Sequence, residues 1–256
     1  MSVSAEVQLI LLIFLLYLYD CFVLAYHNEA VARRLPSGYG VTFPRNNAAF
    51  GRRLLMLLPP LTPFYPAYRI VWASCPPPED AAEAAARIAA FRARDAALFS
   101  RLFPGTLLLA AGFLLLVPLG LHFLPALHVL AALPFLYLLI FFQLRQLRRF
   151  FAAYPAPPSL RGKFWLLAVE SLVCPPCAIN LARKVSLNLP LAVDLIAFAE
   201  ALLPPEACQQ AVGGVVERIG EHVLFAEDAE APQVKQMRDY ALRLRQKFHL
   251  PEEPSA

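Results

Sequence analysis

The chain has 256 residues, of which 59% are hydrophobic and only 16% charged, and its net charge is +4. An average soluble domain carries roughly 25% charged residues, so the apolar excess points to bilayer-embedded segments. The mild charge, with no basic run interleaved with stacking aromatics, excludes nucleic acid as the expected partner.

In chain order, Val7–Tyr26 (VQLILLIFLLYLYDCFVLAY) reads as a first transmembrane span. About 20 helical residues at 1.5 Å each match a hydrocarbon core of ~30 Å. No Lys or Arg precedes the run, and it exceeds a signal-peptide core, so cleavage is not expected. Residues 1–26 form the first segment of the expected organisation.

Residues 27–78 form a Pro-rich cytosolic segment, with seven prolines between 59 and 78 that forbid a continuous helix. Its Leu, Phe, Tyr and Trp content predicts packing on the membrane surface or on the C-terminal domain. Residues 79–104 read as an interfacial amphipathic helix, with Glu83 and Arg87 paired at i,i+4 and a turn at Pro104.

Residues 105–144 hold 40 almost wholly apolar positions, twice what one span needs. The break at Pro118–Pro125 divides them into a transmembrane hairpin, with spans over about 105–122 and 125–144. Gly105 and Gly112 permit close helix approach. Residues 145–256 read as a helical cytosolic domain, with no period-2 strand run of convincing length. The expected fold is therefore all-α: a three-span integral membrane protein with a small helical cytosolic C-terminal domain.

Orientation follows from the basic residues. Ten Lys/Arg lie between residues 27 and 104 and thirteen lie after 144, which accounts for all 23. The positive-inside rule places the N-terminus outside and the C-terminus in the cytosol. The expected location is the plasma membrane, or the inner membrane of a bacterium, as a multi-pass protein.

Few positions carry chemistry. Cys174 and Cys177 in "SLVCPPCAINLARK" have dithiol spacing and also supply half of a zinc site. Neither a βαβ context nor a second ligand pair accompanies them, so a proline bend flanked by two small buried cysteines is the favoured reading. Thiols on the cytosolic side are kept reduced. Asp20 is an intramembrane ionisable candidate near the end of the first span, with Arg101 or Arg145 as expected partners. Arg243, Arg245 and Lys247 lie on a basic terminal helix able to rest on an anionic bilayer. No metal or cofactor is expected.

These features point to a non-enzymatic scaffold or accessory subunit that binds a protein partner, or a second copy of itself, at the cytosolic membrane face. The alternatives are a membrane-associated thiol redox enzyme or sensor using Cys174 and Cys177, and a small oligomeric transporter.

Overall fold

Helix α1 spans Ala5–Tyr19, capped by Ser4, whose side chain accepts from the Val7 amide. It has 15 residues, about 22 Å, and stops at Asp20. The chain then turns extended: β1 is Phe22–Tyr26, where Val23 and Ala25 are buried and Phe22 and Tyr26 are exposed. The segment expected as one span is thus a short helix and a strand. The computed structural model describes residues 4–44, 49–50, 53–72, 80–124, 129, 131–155, 157–224 and 231–250.

Five more strands follow: β2 (Glu29–Leu35), β3 (Gly38–Thr42), β4 (Ala49–Phe50), β5 (Arg53–Leu57) and β6 (Ala67–Val71). They form two three-stranded sheets, in the orders β1-β5-β4 and β3-β2-β6. β2 and β3 pair antiparallel with Leu35 opposite Gly38, leaving a two-residue loop at Pro36 and Ser37. Gly38 sits at φ 147°, which a side chain would not tolerate. The all-α expectation is overturned by these sheets.

Helix α2 runs over Ala81–Ala111, straight through Pro104, where the chain was expected to turn. A π-helical stretch, Gly112–Leu116, carries it into α3 (Val117–Phe123). Together they form a 43-residue helix. Among the described residues it is the one helix long and apolar enough to cross a membrane, and 39% of its apolar window is buried within the protein.

The next helix, α4 (Leu133–Ala153), has Arg145, Arg148 and Arg149 in its second half. Three charges within two turns are costly at membrane depth. With α1 too short and α4 too charged, the three-span architecture is overturned as well.

Further along lie α5 (Pro158–Val173), a 3-10 turn (Pro175–Asn180), α6 (Leu181–Asn188), α7 (Leu195–Leu202), α8 (Pro205–Leu224) and α9 (Pro232–Phe248). The chain divides into two compact units. The first comprises Met1–Val23, Met56–Tyr68 and Arg92–Pro190; the second comprises Leu24–Leu55, Arg69–Phe91 and Leu191–Ala256.

In the first unit, one core joins α1 to α2, α3 and α4 through Tyr17, Leu109, Phe113, Leu136 and Ile140. Gly112 meets Leu136 so closely that an added Cβ would lie 2.5 Å from its Cδ2. The Gln143 amide and the Thr106 hydroxyl hydrogen-bond at 2.8 Å, both fully buried. A second cluster gathers Leu98, Leu102, Leu147, Phe150, Phe164 and Leu181.

In the second unit, Phe91 and Phe198 pack around Tyr39 with ring centroids 5.5–5.6 Å apart. Gly214 faces the Phe43 ring. The buried Arg218 donates to the carbonyls of His27 and Pro44.

Candidate functional site

The site lies in the first unit, where α5 ends. Cys174 is the C-cap of α5, its amide donating to Glu170 O at 2.7 Å. Pro175 and Pro176 then open the 3-10 turn, at positions where a missing N–H costs nothing. The turn folds back so that the Cys177 amide donates to Cys174 O at 2.9 Å, and the two sulfurs are joined as a disulfide with Cα atoms 5.4 Å apart. Cys174 is half-buried, whereas Cys177 is buried.

Three charged side chains gather beside the disulfide. Lys184, one turn into α6, donates to Glu170 Oε1 at 2.7 Å and also pairs with Asp20 Oδ1. The Asp20 side chain is only 7% exposed. One oxygen each from Asp20 and Glu170 and the Cys177 sulfur all lie within 4.8 Å of one another. The Lys184 ammonium already holds both carboxylates, so the cluster is an ion-paired one rather than an open cation site.

Burial pushes the Asp20 carboxyl above the usual carboxylate range, and the Lys184 charge only partly opposes this. Its second oxygen, Oδ2, is enclosed and lacks a hydrogen-bond partner. The partner expected for Asp20 was Arg101 or Arg145; the residue that reaches it is Lys184.

Next to Asp20, Cys21 is fully buried. Asn180 Nδ2 approaches its sulfur at 3.7 Å and Arg183 Nη1 at 3.9 Å. Burial raises this thiol too, against the pull of Arg183. Arg183 is itself buried and donates to Pro59 O at 2.5 Å and to both Thr62 oxygens. The proline-rich stretch after Leu58 is therefore held by arginine on its free carbonyls, since prolines offer no N–H to pair them.

The other candidates belong to the second unit or lie outside the described residues. Cys75 lies outside the described residues, and Cys208 is a buried free thiol of α8 in the second unit. Arg243, Arg245 and Lys247 lie on α9, which packs on α8 through the buried Val234 and Leu244. Lys247 pairs with Glu200, and Arg243 lies over the Tyr240 ring at 6.0 Å. A cleft of about 350 Å³ in the second unit is lined by Tyr26, His27, Trp72 and His222. His27 there pairs with Glu221 at 3.1 Å.

Sequence reasoning singled out Cys174, Cys177 and Asp20 separately and missed Glu170 and Lys184. The one signal for them was the presence of a glutamate and a lysine inside an otherwise apolar stretch around the CPPC.

Comparison with known protein families, curated proteins and solved structures finds no match to this chain.

Proposed function

We propose that this chain is a membrane-associated thiol–disulfide redox protein, an enzyme or a sensor, whose exchange centre is the Cys174–Cys177 pair. The observation that carries this reading is the disulfide set against Asp20, Glu170 and Lys184. A pair that served only as packing around a bend would have no use for buried charge beside it, which costs desolvation energy.

Their difference in exposure supports distinct roles for the two sulfurs. A thiolate of an incoming dithiol attacks the half-buried Cys174, forming a mixed disulfide and breaking the Cys174–Cys177 bond. Cys177 leaves as a thiolate and takes up a proton. The second thiol of the dithiol then displaces Cys174 and becomes part of a new disulfide in that molecule. Two electrons pass to the protein, and both its sulfurs end as thiols.

Membrane association is supported by the apolar surface of the first unit. Leu12, Leu15 and Leu18 of α1, Leu115, Leu116 and Leu119 of the long helix, and Phe135 and Leu138 of α4 are all exposed. So is Trp165 of α5, at 72%. Such a patch marks a membrane or protein contact. We propose the cytosolic face for the centre; Arg161 and Lys163 on one side of the CPPC stretch and Arg183 and Lys184 on the other support this. There the resting state is reduced, and the disulfide is the turnover or sensing state.

The experiment is a trap. Cys177→Ala in the full chain leaves Cys174 unable to resolve a mixed disulfide. In cells it accumulates a covalent adduct released by reductant, and Cys174→Ala does not. Adducts with neither variant contradict the redox reading.

A second reading keeps one specific observation. Trp165, Leu166 and Val173 of α5 form an exposed apolar stripe next to the CPPC turn. A scaffold or accessory subunit would use that stripe to hold a protein partner, and stable co-purification lost on Trp165→Ser and Leu166→Ser would support it.

A further inference from the structure

The enclosed Asp20 carboxylate is incompletely satisfied. Lys184 takes Oδ1, and Oδ2 makes no well-formed hydrogen bond, the Asn180 side chain only approaching the carboxylate. A buried acceptor left without a donor is costly, and native structures keep few of them. A disulfide sulfur has no hydrogen to give; a thiol has one. Reduction of Cys174–Cys177 would therefore create a donor, Cys177 S–H, within the same 4.8 Å cluster.

We propose that Asp20 is the proton acceptor and donor for the Cys177 sulfur, coupling electron exchange at the CPPC pair to a proton held on α1's C-cap. This rests on the redox reading above. When a mixed disulfide on Cys174 is resolved, the Cys177 thiol passes its proton to the Asp20 carboxylate. The sulfur then attacks Cys174 Sγ and expels the other thiol as a thiolate. Asp20 returns the proton to solvent. In the reductive direction the same carboxyl protonates the departing Cys177.

The surroundings suit that role. The groups around Asp20 are Lys184 of α6, Glu170 of α5, Cys177 and Asn180 of the 3-10 turn, and Tyr17 and Cys21 of its own segment, with Arg183 beyond Cys21. Lys184 keeps the ionised carboxylate tolerable. Burial raises its affinity for a proton above that of an ordinary aspartate. Glu170 is 43% exposed and hydrogen-bonded to the same lysine, so it can relay the proton outward.

The test follows the resolving step directly. Full-length protein in detergent, with Cys21 changed to Ala and Cys75 and Cys208 to Ser, is reduced and treated with 5,5′-dithiobis(2-nitrobenzoate). Cys174 forms the first mixed disulfide, and attack by Cys177 releases a second thionitrobenzoate that is read by absorbance between pH 5 and 9. With Asp20 as acceptor, the wild-type rate rises with the carboxyl's ionisation and then flattens well below the thiol's own titration. Asp20→Asn should be at least about tenfold slower at pH 7 and rise about tenfold per pH unit through neutrality. Asp20→Glu should keep the flattened profile. A wild-type rate that climbs with thiol ionisation alone, or an Asp20→Asn rate equal to wild type, overturns the proposal for Asp20. Should Asp20→Asn not fold, the wild-type profile alone decides. Absence of any second release in wild type defeats the redox reading itself, which is a different result.

Discussion

Lys184 donates to Glu170 at 2.7 Å, tying α6 to the last turn of α5 directly across the Cys174–Cys177 turn. The same ammonium reaches Asp20 at the end of α1. One side chain thus holds three elements around the disulfide, and its removal strands two carboxylates, one of them buried. Lys184→Met is expected to cost about 3 kcal/mol, as for breaking a buried ion pair. Adding Asp20→Asn to it should recover part of that loss. Chemical denaturation in detergent measures both; equal stability of Lys184→Met and wild type contradicts the pairing.

The pH dependence of Asp20 has a fixed sign. Its folded carboxyl binds a proton more tightly than the unfolded one, because burial dominates. Its contribution to stability is therefore most favourable at low pH and declines as pH rises from the ordinary aspartate range through the raised folded value. The stability of wild type minus that of Asp20→Asn should fall over that window. Melting temperatures of the two proteins from pH 4 to 8 check it, and a difference that grows with pH contradicts the assignment.

Gly112 and Leu136 set how closely the long helix approaches α4. Gly112→Ala places a Cβ 2.5 Å from Leu136 Cδ2 and should cost about 1–3 kcal/mol. Leu136→Ala, which removes the clashing methyl, should cost less in the Gly112→Ala background than in wild type. A double-mutant cycle of thermal melts measures this coupling, and strict additivity contradicts the contact.

Tyr68 donates its hydroxyl to Asp95 at 2.9 Å, and both residues are fully buried. Tyr68→Phe leaves this acceptor one donor short and should destabilise by about 2 kcal/mol. Asp95→Asn in the same background should restore part of it, because a neutral amide needs less compensation.

The exposed stripe on α5 gives a direct probe of membrane contact. The chain has two tryptophans, Trp72, which is buried, and Trp165, which is exposed. In a Trp72→Phe variant, brominated lipid should quench Trp165 strongly. Quenching no greater than in unbrominated lipid contradicts immersion of α5.

Much of the helical part was legible in the sequence because prolines punctuate it. Pro158, Pro205 and Pro232 open helices, and the Pro175–Pro176 pair breaks one. Gly112 was visible for a different local reason, its lack of a side chain in an apolar helical run. The strands were not legible. β1 follows α1 without any polar gap, so Phe22–Tyr26 extended the apolar run and looked like the end of a span. β2 and β3 gain their order from pairing, and Val31–Leu35 is a mixture of apolar and basic residues with no clean alternation. Pro104 misled in the opposite direction, since neighbouring contacts of Leu98, Leu102 and Leu109 hold the helix together across it. The cluster at the disulfide had no local signal, because Asp20 meets Lys184 and Cys177 only through tertiary packing.

A working redox couple at Cys174 and Cys177 has a reduction potential that can be read directly. Full-length protein equilibrated in dithiol–disulfide buffers, acid-quenched and labelled with a thiol-specific mass tag, reads the fraction oxidised at each potential. A single two-electron transition with a midpoint between about −180 and −300 mV, lost in Cys174→Ala and Cys177→Ala, is the result predicted. A pair that stays fully reduced at every potential, or fully oxidised at the most reducing one, contradicts it.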